Sequence, residues 1–365
     1  MTPPAPHLPD FAGATTTAIV PALTWGVDSP VIPREVASAS ATVLLVLDSL
    51  GWEQLASRRD IAPNLTALDG GAVTTVAPST TASALTSIST GVPPGEHGVV
   101  GYRFPAGGAV MNALRWTTVA GDHREVVPPA SVQAIPALGG GTWTVVGGRQ
   151  FRTSAFTEAY LGDHTYVGYE HPSSIVAEVR QAIDRGERCV YAYYDGLDHV
   201  AHIHGVSGTH FDLELQFCDW LVGALAAALP TGTSLTITAD HGQIDAPQLV
   251  PVAGDVLELV RERSGEPRFR WLHARAGATE DLVAAARSAH AQHAWVHTRD
   301  ELIDGGWFGP TVTDDARNRL GDVALIAHAP VGFEDPAERH ADRLVGRHGS
   351  VTSAEMLVPA LHVVC

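Results

Sequence analysis

The chain has no lysine: all 23 of its basic residues, in a length of 365, are arginine. This excludes chemistry that depends on a lysine amine, Schiff bases included. It also leaves Gly139-Gly140-Gly141 without the Lys-Ser/Thr that completes a phosphate loop, so this stretch reads as a turn. Cysteine is scarce too. Cys189, Cys218 and Cys365 are odd in number and have no short spacing, which argues against a disulfide framework or a cysteine metal cluster and fits thiols in a reducing compartment. No apolar run approaches the ~18 residues of a membrane span, and the Pro-rich N-terminus lacks the basic and apolar regions of a secretion signal, so the expected location is cytoplasmic. The formal net charge is -17 with no local basic patch, so neither a nucleic-acid polymer nor an anionic membrane is an expected partner.

What is present is enough apolar residue, 45% of the chain, to bury a sizeable core, over a length that exceeds one simple domain. Three β-type runs stop abruptly at a polar residue: Val43–Leu47 before Asp48, Val190–Tyr194 before Asp195, and Leu235–Ala239 before Asp240-His241. In an open α/β sheet such residues stand at the carboxyl ends of strands, where ligands bind. Further strands are expected near 71–76, 142–146 and 164–168, and helices near 173–185 and 208–228, the alternation of a sheet covered on both faces. The segment from Ala77 to Thr86 predicts a short helix that begins near Thr81 and ends before Gly91, which puts a hydroxyl at a helix N-terminus, favourable for an anion.

The expected fold is therefore α/β: a three-layer α/β/α core with an inserted smaller α+β cap. Residues 1–40 read as a Pro-punctuated extended arm, 41–247 and 341–365 as the core, and 248–340 as the cap, with strand and helix signals of its own. The Gly-rich stretch 104–141 reads as a loop over the site. There is no internal repeat.

Asp48, Thr81, Asp198, His202, Asp240, His241 and His348 carry the chemistry. Carboxylate oxygen and imidazole nitrogen suit Zn²⁺ or a similar divalent ion such as Mn²⁺ or Fe, and two such ions about 3.5–4 Å apart can clamp an in-line phosphoryl displacement. Singly, each residue has a plainer reading. An Asp after a strand is usually a cap or turn former, and a lone His is usually packed or exposed. Their order and spacing together point to a metal site.

The segment Pro78–Gly98, with Thr80-Thr81, Thr90-Gly91 and Glu96-His97-Gly98, resembles the nucleophile region of nucleotide pyrophosphatase/phosphodiesterases of the alkaline phosphatase superfamily, and the other motifs follow in that family's order. The resemblance implies an alkaline-phosphatase-like core. It implies that Asp48, Asp240 and His241 hold one ion with the Thr81 oxygen, and that Asp198, His202 and His348 hold a second. It selects Thr81 over Ser79 and Thr80 as nucleophile and implies a phospho-threonine intermediate in the cleavage of a phosphodiester or phosphoanhydride bond of a small, nucleotide-like phosphate ester.

The chain departs from the family pattern where an Asn is expected 21 residues after the nucleophile, since Tyr102 and Arg103 stand there. Tyr102, Arg103 or Asn112 is expected to supply the missing substrate contact, and Arg103 on a phosphate oxygen would favour a monoester. The alternatives on the same fold are a phosphomonoesterase or a phosphonate or sulfate ester hydrolase, a mutase-type phosphotransferase, and a non-catalytic metal-binding protein. Phosphonoacetate hydrolases grip the substrate carboxylate with lysines, which this chain lacks. His97 is expected to brace the nucleophile loop, Asp195 and His199 to face solvent or orient a ligand, and Trp271, Trp295 and Trp307 to be core. His290, His293 and His297 are expected at the surface.

Overall fold

In the computed structural model, residues 4–338 and 341–365 are described. Residues 1–3 of the expected arm and 339–340 of the expected cap lie outside them.

Seven strands form the main sheet: β1 (Ala41–Leu47), β2 (Asp69–Thr74), β3 (Thr144–Gly148), β4 (Thr165–Tyr169), β5 (Cys189–Tyr194), β6 (Thr233–Thr238) and β7 (Leu357–Val364), in the order β2-β7-β6-β1-β5-β3-β4. The strands from β6 to β4 pair in parallel, whereas β7 runs antiparallel to both of its neighbours. β1 lies near the middle, and Val43 to Leu47 are all fully buried, because a central strand covered on both faces has no solvent side on which to alternate. Two groups of helices pack together around this sheet. One joins Pro63–Thr66, Ser174–Asp184 and Thr209–Ala228; the other joins Ile19–Trp25, Thr81–Thr90 and Ala155–Leu161. The result is a mixed α/β fold on a mostly parallel sheet.

Residues 260–327 build a second sheet, antiparallel, from Val260–Glu266, Phe269–Ala274, Val323–Ala327 and Ala294–Thr298. Its two faces follow the strand period of two. Phe269, Trp271, Trp295, Ala324 and Ile326 join the main hydrophobic core, while Leu272, Val296, Val323 and Leu325 join Leu282 and Ala286 of the helix Thr279–His290 in a separate cluster. The three tryptophans named from sequence are buried.

Three sequence expectations give way here. The arm is not extended throughout: Ile19–Trp25 is a helix whose Ile19, Val20, Ala22 and Leu23 are buried, so an amphipathic turn of helix outweighs the flanking prolines. The stretch 104–141 is not a plain loop. It opens with a four-stranded meander, Arg103–Ala106, Ala109–Asn112, Thr117–Thr118 and Gly121–Asp122, whose first turn is Gly107-Gly108. His290 is buried rather than exposed, its ring nitrogen accepting from the Ala253 backbone at 3.2 Å.

Candidate metal centre

β6, β1 and β5 are adjacent, and their carboxyl ends bring the strand-end residues together. Asp48 follows β1 directly, and its backbone N–H donates to the Tyr194 carbonyl at the end of β5. The next residue, Ser49, takes the left-handed φ of 68°, uncommon for a non-glycine, and this turn aims its N–H at Asp240 Oδ1, 3.1 Å away. Asp198 and His202 lie one turn apart on the helix Gly196–His204 that follows β5. Thr81 is the first residue of the helix Thr81–Thr90, which stops where Gly91 takes a left-handed conformation at φ 74°.

His241 joins the two halves of the centre. Its Nε2 is 3.1 Å from Thr81 Oγ1, 3.3 Å from Asp240 Oδ2 and 3.6 Å from Asp48 Oδ1. Its ring stacks on His348 with centroids 3.6 Å apart. His348 Nε2 is 3.8 Å from Asp198 Oδ1, and His202 Nε2 is 3.4 Å from the other oxygen, Oδ2. Two sets of three ligand atoms lie within 4.8 Å of one another, Asp48 with Asp240 and His241, and Asp198 with His241 and His348. His202 stands beside the second set, on the far oxygen of Asp198. Asp195 and His199 belong to neither.

The tautomers follow from the backbone. The Nδ1 atoms of His241, His348 and His202 lie 3.2, 2.9 and 2.9 Å from the carbonyl oxygens of Gly242, Ser79 and Gly346. A carbonyl only accepts, so Nδ1 of His241 and of His348 carries the hydrogen and their Nε2 atoms turn a lone pair inward, whereas Nδ1 of His202 also meets the Gln243 amide nitrogen, a donor, at 2.9 Å. The carboxylates are arranged to match. One oxygen of Asp240 accepts from the Ser49 and His241 backbones, and one oxygen of Asp48 accepts from the Tyr193 hydroxyl. The remaining atoms, Asp48 Oδ1, Asp240 Oδ2 and Asp198 Oδ1, are buried with no hydrogen-bond partner among the described residues. Buried polar atoms are rarely left so, and three of them beside the imidazole lone pairs of His241 and His348 make a donor set that suits divalent cations.

The electrostatics agree. Burial, followed by the charges of Asp240 and Asp198, pushes Asp48 well above the usual carboxylate range, and burial raises Asp240 to about 7. Burial lowers His241 to about 3 and His348 well below its ordinary value, so both imidazoles are neutral and able to ligate.

The three expected substrate contacts are placed differently. The Tyr102 hydroxyl accepts from Asn112 Nδ2 at 2.6 Å, so those two side chains hold each other across the meander. Arg103 is not free: its Nη1 is 2.6 Å from Asp335 Oδ2 and 3.2 Å from Glu338 Oε1. An Arg read from sequence carries no sign of the acids that meet it from 230 residues away.

Some site residues were not visible in the sequence. Tyr193 was one more aromatic in a buried strand, yet its hydroxyl reaches Asp48; the one available signal was a polar tip within an otherwise apolar run. Ser79 looked like a rival nucleophile, but its hydroxyl donates to the Ser350 carbonyl at 2.6 Å and accepts from the Gly349 backbone at 3.2 Å. His97 braces the Thr81 helix, its Nε2 2.8 Å from Ser87 Oγ and its Nδ1 accepting from the Val99 backbone at 3.0 Å.

The fold has counterparts among known proteins. Murine ectonucleotide pyrophosphatase/phosphodiesterase 5, in an inactive form in complex with AMP, is 14% identical and superposes with a TM-score of 0.66 over 88% of this chain and 87% of its own. The human protein of the same name is 16% identical, with a TM-score of 0.65 over 88% and 87%. Phosphonoacetate hydrolase from Sinorhizobium meliloti 1021 in complex with phosphonoformate is 16% identical, with a TM-score of 0.63 over 89% and 90%. These likenesses show the alkaline-phosphatase-like fold. No curated protein sequence matches the chain. The sequence profile of type I phosphodiesterase / nucleotide pyrophosphatase matches residues 42–351, which take in every residue of the centre, and the chain is an enzyme of that family.

Proposed function

We propose that the chain is a metal-dependent hydrolase that cleaves a phosphodiester or phosphoanhydride bond of a small nucleotide-like substrate, with Thr81 as nucleophile. The observation that carries this reading is the position of Thr81 Oγ1, at the start of a ten-residue helix and 3.1 Å from His241 Nε2, the nitrogen common to both ligand sets. Asp48, Asp240 and His241 would hold one cation, and Asp198 and His348, with His202, the other, probed first with Zn²⁺ and then Mn²⁺. Bound there, two divalent cations supply the charge that lowers the pKa of a neighbouring hydroxyl and stabilises the oxygens of a phosphoryl group in flight.

The chain's own residues do the rest. Thr81 Oγ bonds to phosphorus in line as the bond to the leaving oxygen breaks, and water then cleaves the phospho-threonine. The helix N-terminus favours the negative phosphoryl group beside it. Ser79 and His97 keep the helix start and its packing in place. A relative bound to AMP supports a nucleotide-like ligand. The pairing of Arg103 with Asp335 and Glu338 favours the diester over the monoester, since the cation that would prefer a dianion is already neutralised. Residues 248–340 act as the cap that selects the substrate.

The test is hydrolysis of bis-(p-nitrophenyl) phosphate against p-nitrophenyl phosphate by chelated protein reloaded with Zn²⁺ or Mn²⁺. Diester preference is expected, with a loss of roughly 10³-fold or more in Thr81→Ala. Monoester preference would move the assignment to a phosphatase, and an unaffected T81A would remove Thr81 as nucleophile.

A further inference from the structure

The second sheet begins with the hairpin Val260–Glu266 and Phe269–Ala274, turning at Pro267-Arg268. Hairpin tips ordinarily face water. This one is buried, with Glu266 4% and Arg268 0% exposed; Glu266 lies against Gly349, and Arg268 reaches Glu355 in the short helix Ser353–Met356 that follows. Arg268 grips Glu355 through Nε at 2.6 Å and Nη2 at 2.7 Å, and Glu355 Oε1 accepts from the Ser350 backbone at 3.0 Å. That contact is an ion pair with an evident structural purpose. Glu266 is different, because its carboxylate meets no cation within ion-pair distance among the described residues, and it touches two loops of the site at once.

Its Oε2 accepts from the Tyr102 N–H at 3.0 Å. On its other side lies Gly349, the residue after His348, at φ +119°. A Cβ added there would come 2.6 Å from Glu266 Cγ and 3.3 Å from Oε1, so no other residue fits while Glu266 is in place. A Cβ on Gly101 would likewise come 3.3 Å from Oε2. Two glycines thus open a slot that this one side chain fills. The Gly349 N–H donates to Ser79 Oγ at 3.2 Å, and His348 Nδ1–H donates to the Ser79 carbonyl at 2.9 Å. A shift of Gly349 would therefore displace His348 and the segment leading to Thr81 together. Oε1 is buried without a hydrogen-bond partner among the described residues, a cost that an apolar filler would avoid.

We propose that Glu266 is a positioning residue, reaching from the second sheet to set the His348 loop against the Tyr102 segment and so complete the ligand set of Asp198 and His348. This rests on the reading of that set as a cation site. Glu266 touches no reacting atom; it acts through the ring of His348.

The experiment compares wild type, Glu266→Ala and Glu266→Gln after chelation and titration with Zn²⁺, measuring bound metal per chain and, separately, kcat and KM on bis-(p-nitrophenyl) phosphate. Wild type is expected to bind two ions. E266A is expected to keep the first and to bind the second roughly 10- to 100-fold more weakly, with the loss in kcat rather than KM. E266Q keeps an acceptor for Tyr102 and the same bulk, and is expected to bind both ions as wild type does. E266A that binds both ions normally would overturn the proposal, as would E266Q that loses the second ion as fully as E266A. If E266A does not fold, Glu266→Asp withdraws the carboxyl by one methylene and is expected to show the same selective loss; normal binding of both ions by E266D would overturn the proposal equally. Wild-type protein that binds no ion would instead fail the metal-centre reading itself, and this inference with it.

Discussion

At the seam where the second sheet meets its surroundings, three acids are matched by arginines, Glu355 by Arg268, and Asp335 and Glu338 by Arg103 and Arg270, with Glu266 the exception. At the metal centre Asp48, Asp198 and Asp240 have no arginine within ion-pair distance among the described residues, and each keeps an oxygen without a partner. Both regions place carboxylates out of water in the same fold, so burial alone does not distinguish them. The difference lies in who supplies the positive charge. At the seam the chain supplies it and gains a fixed docking geometry; at the centre no arginine supplies it, and the proposed function assigns that charge to bound cations.

Substitutions that swap the behaviour of the two regions sharpen this contrast. The largest stability effect is expected from Arg268→Ala, which leaves Glu355 buried without its cation and should cost ~3–5 kcal/mol, read as a lower urea midpoint. The corresponding change at the centre, Asp240→Asn, should not destabilise the metal-free protein at all. The Asn oxygen keeps the contacts to the Ser49 and His241 backbones, and a neutral group replaces a crowded charge. Its cost should appear as metal affinity lower by roughly 10²-fold or more, measured by competition with a chelator. A stability loss in D240N equal to that of R268A would erase the distinction.

A smaller effect is expected with pH. Asp48, Asp240 at about 7 and Glu266 at about 8 are raised by burial, so they favour the folded state fully at low pH and lose that contribution as pH rises through those values. His241 and His348 are lowered, so their contribution is complete above the ordinary histidine range and is lost as pH falls. The two trends oppose each other below about pH 6.5, the ordinary histidine value. Above it the acids act alone, and the metal-free protein should lose thermal stability between roughly pH 6.5 and 8, with a smaller loss once metal is bound. A flat profile for metal-free protein would contradict the crowding inferred at the centre. The smallest effect is expected from Tyr102→Phe, which removes one hydrogen bond to Asn112 and should cost about 1 kcal/mol with little change in kcat.

Much of the core was legible because periodicity is a local property. The runs ending at Leu47, Tyr194 and Ala239 became three adjacent strands, and the helix expected from Thr81 begins and ends where its sequence indicates. The helix Ile19–Trp25 and the meander from Arg103 were missed for the opposite reason. Prolines and glycines are strong local signals for irregular backbone, and only packing against distant residues outweighs them. Arg103 illustrates the same limit for side chains. As a residue type it promises a phosphate contact, but Asp335 and Glu338 claim it across more than 230 positions.

By itself the sequence determined the residue types of the centre, their order, and the strand ends and helix start on which they stand, because spacing along strands and helices decides which side of an element a residue occupies. Only the tertiary structure decided which of those residues meet. His241 bridges two ligand sets because its ring stacks on His348, a residue more than a hundred positions later. Glu266 enters the site because a hairpin tip is buried against Gly349, and no local pattern encodes either contact.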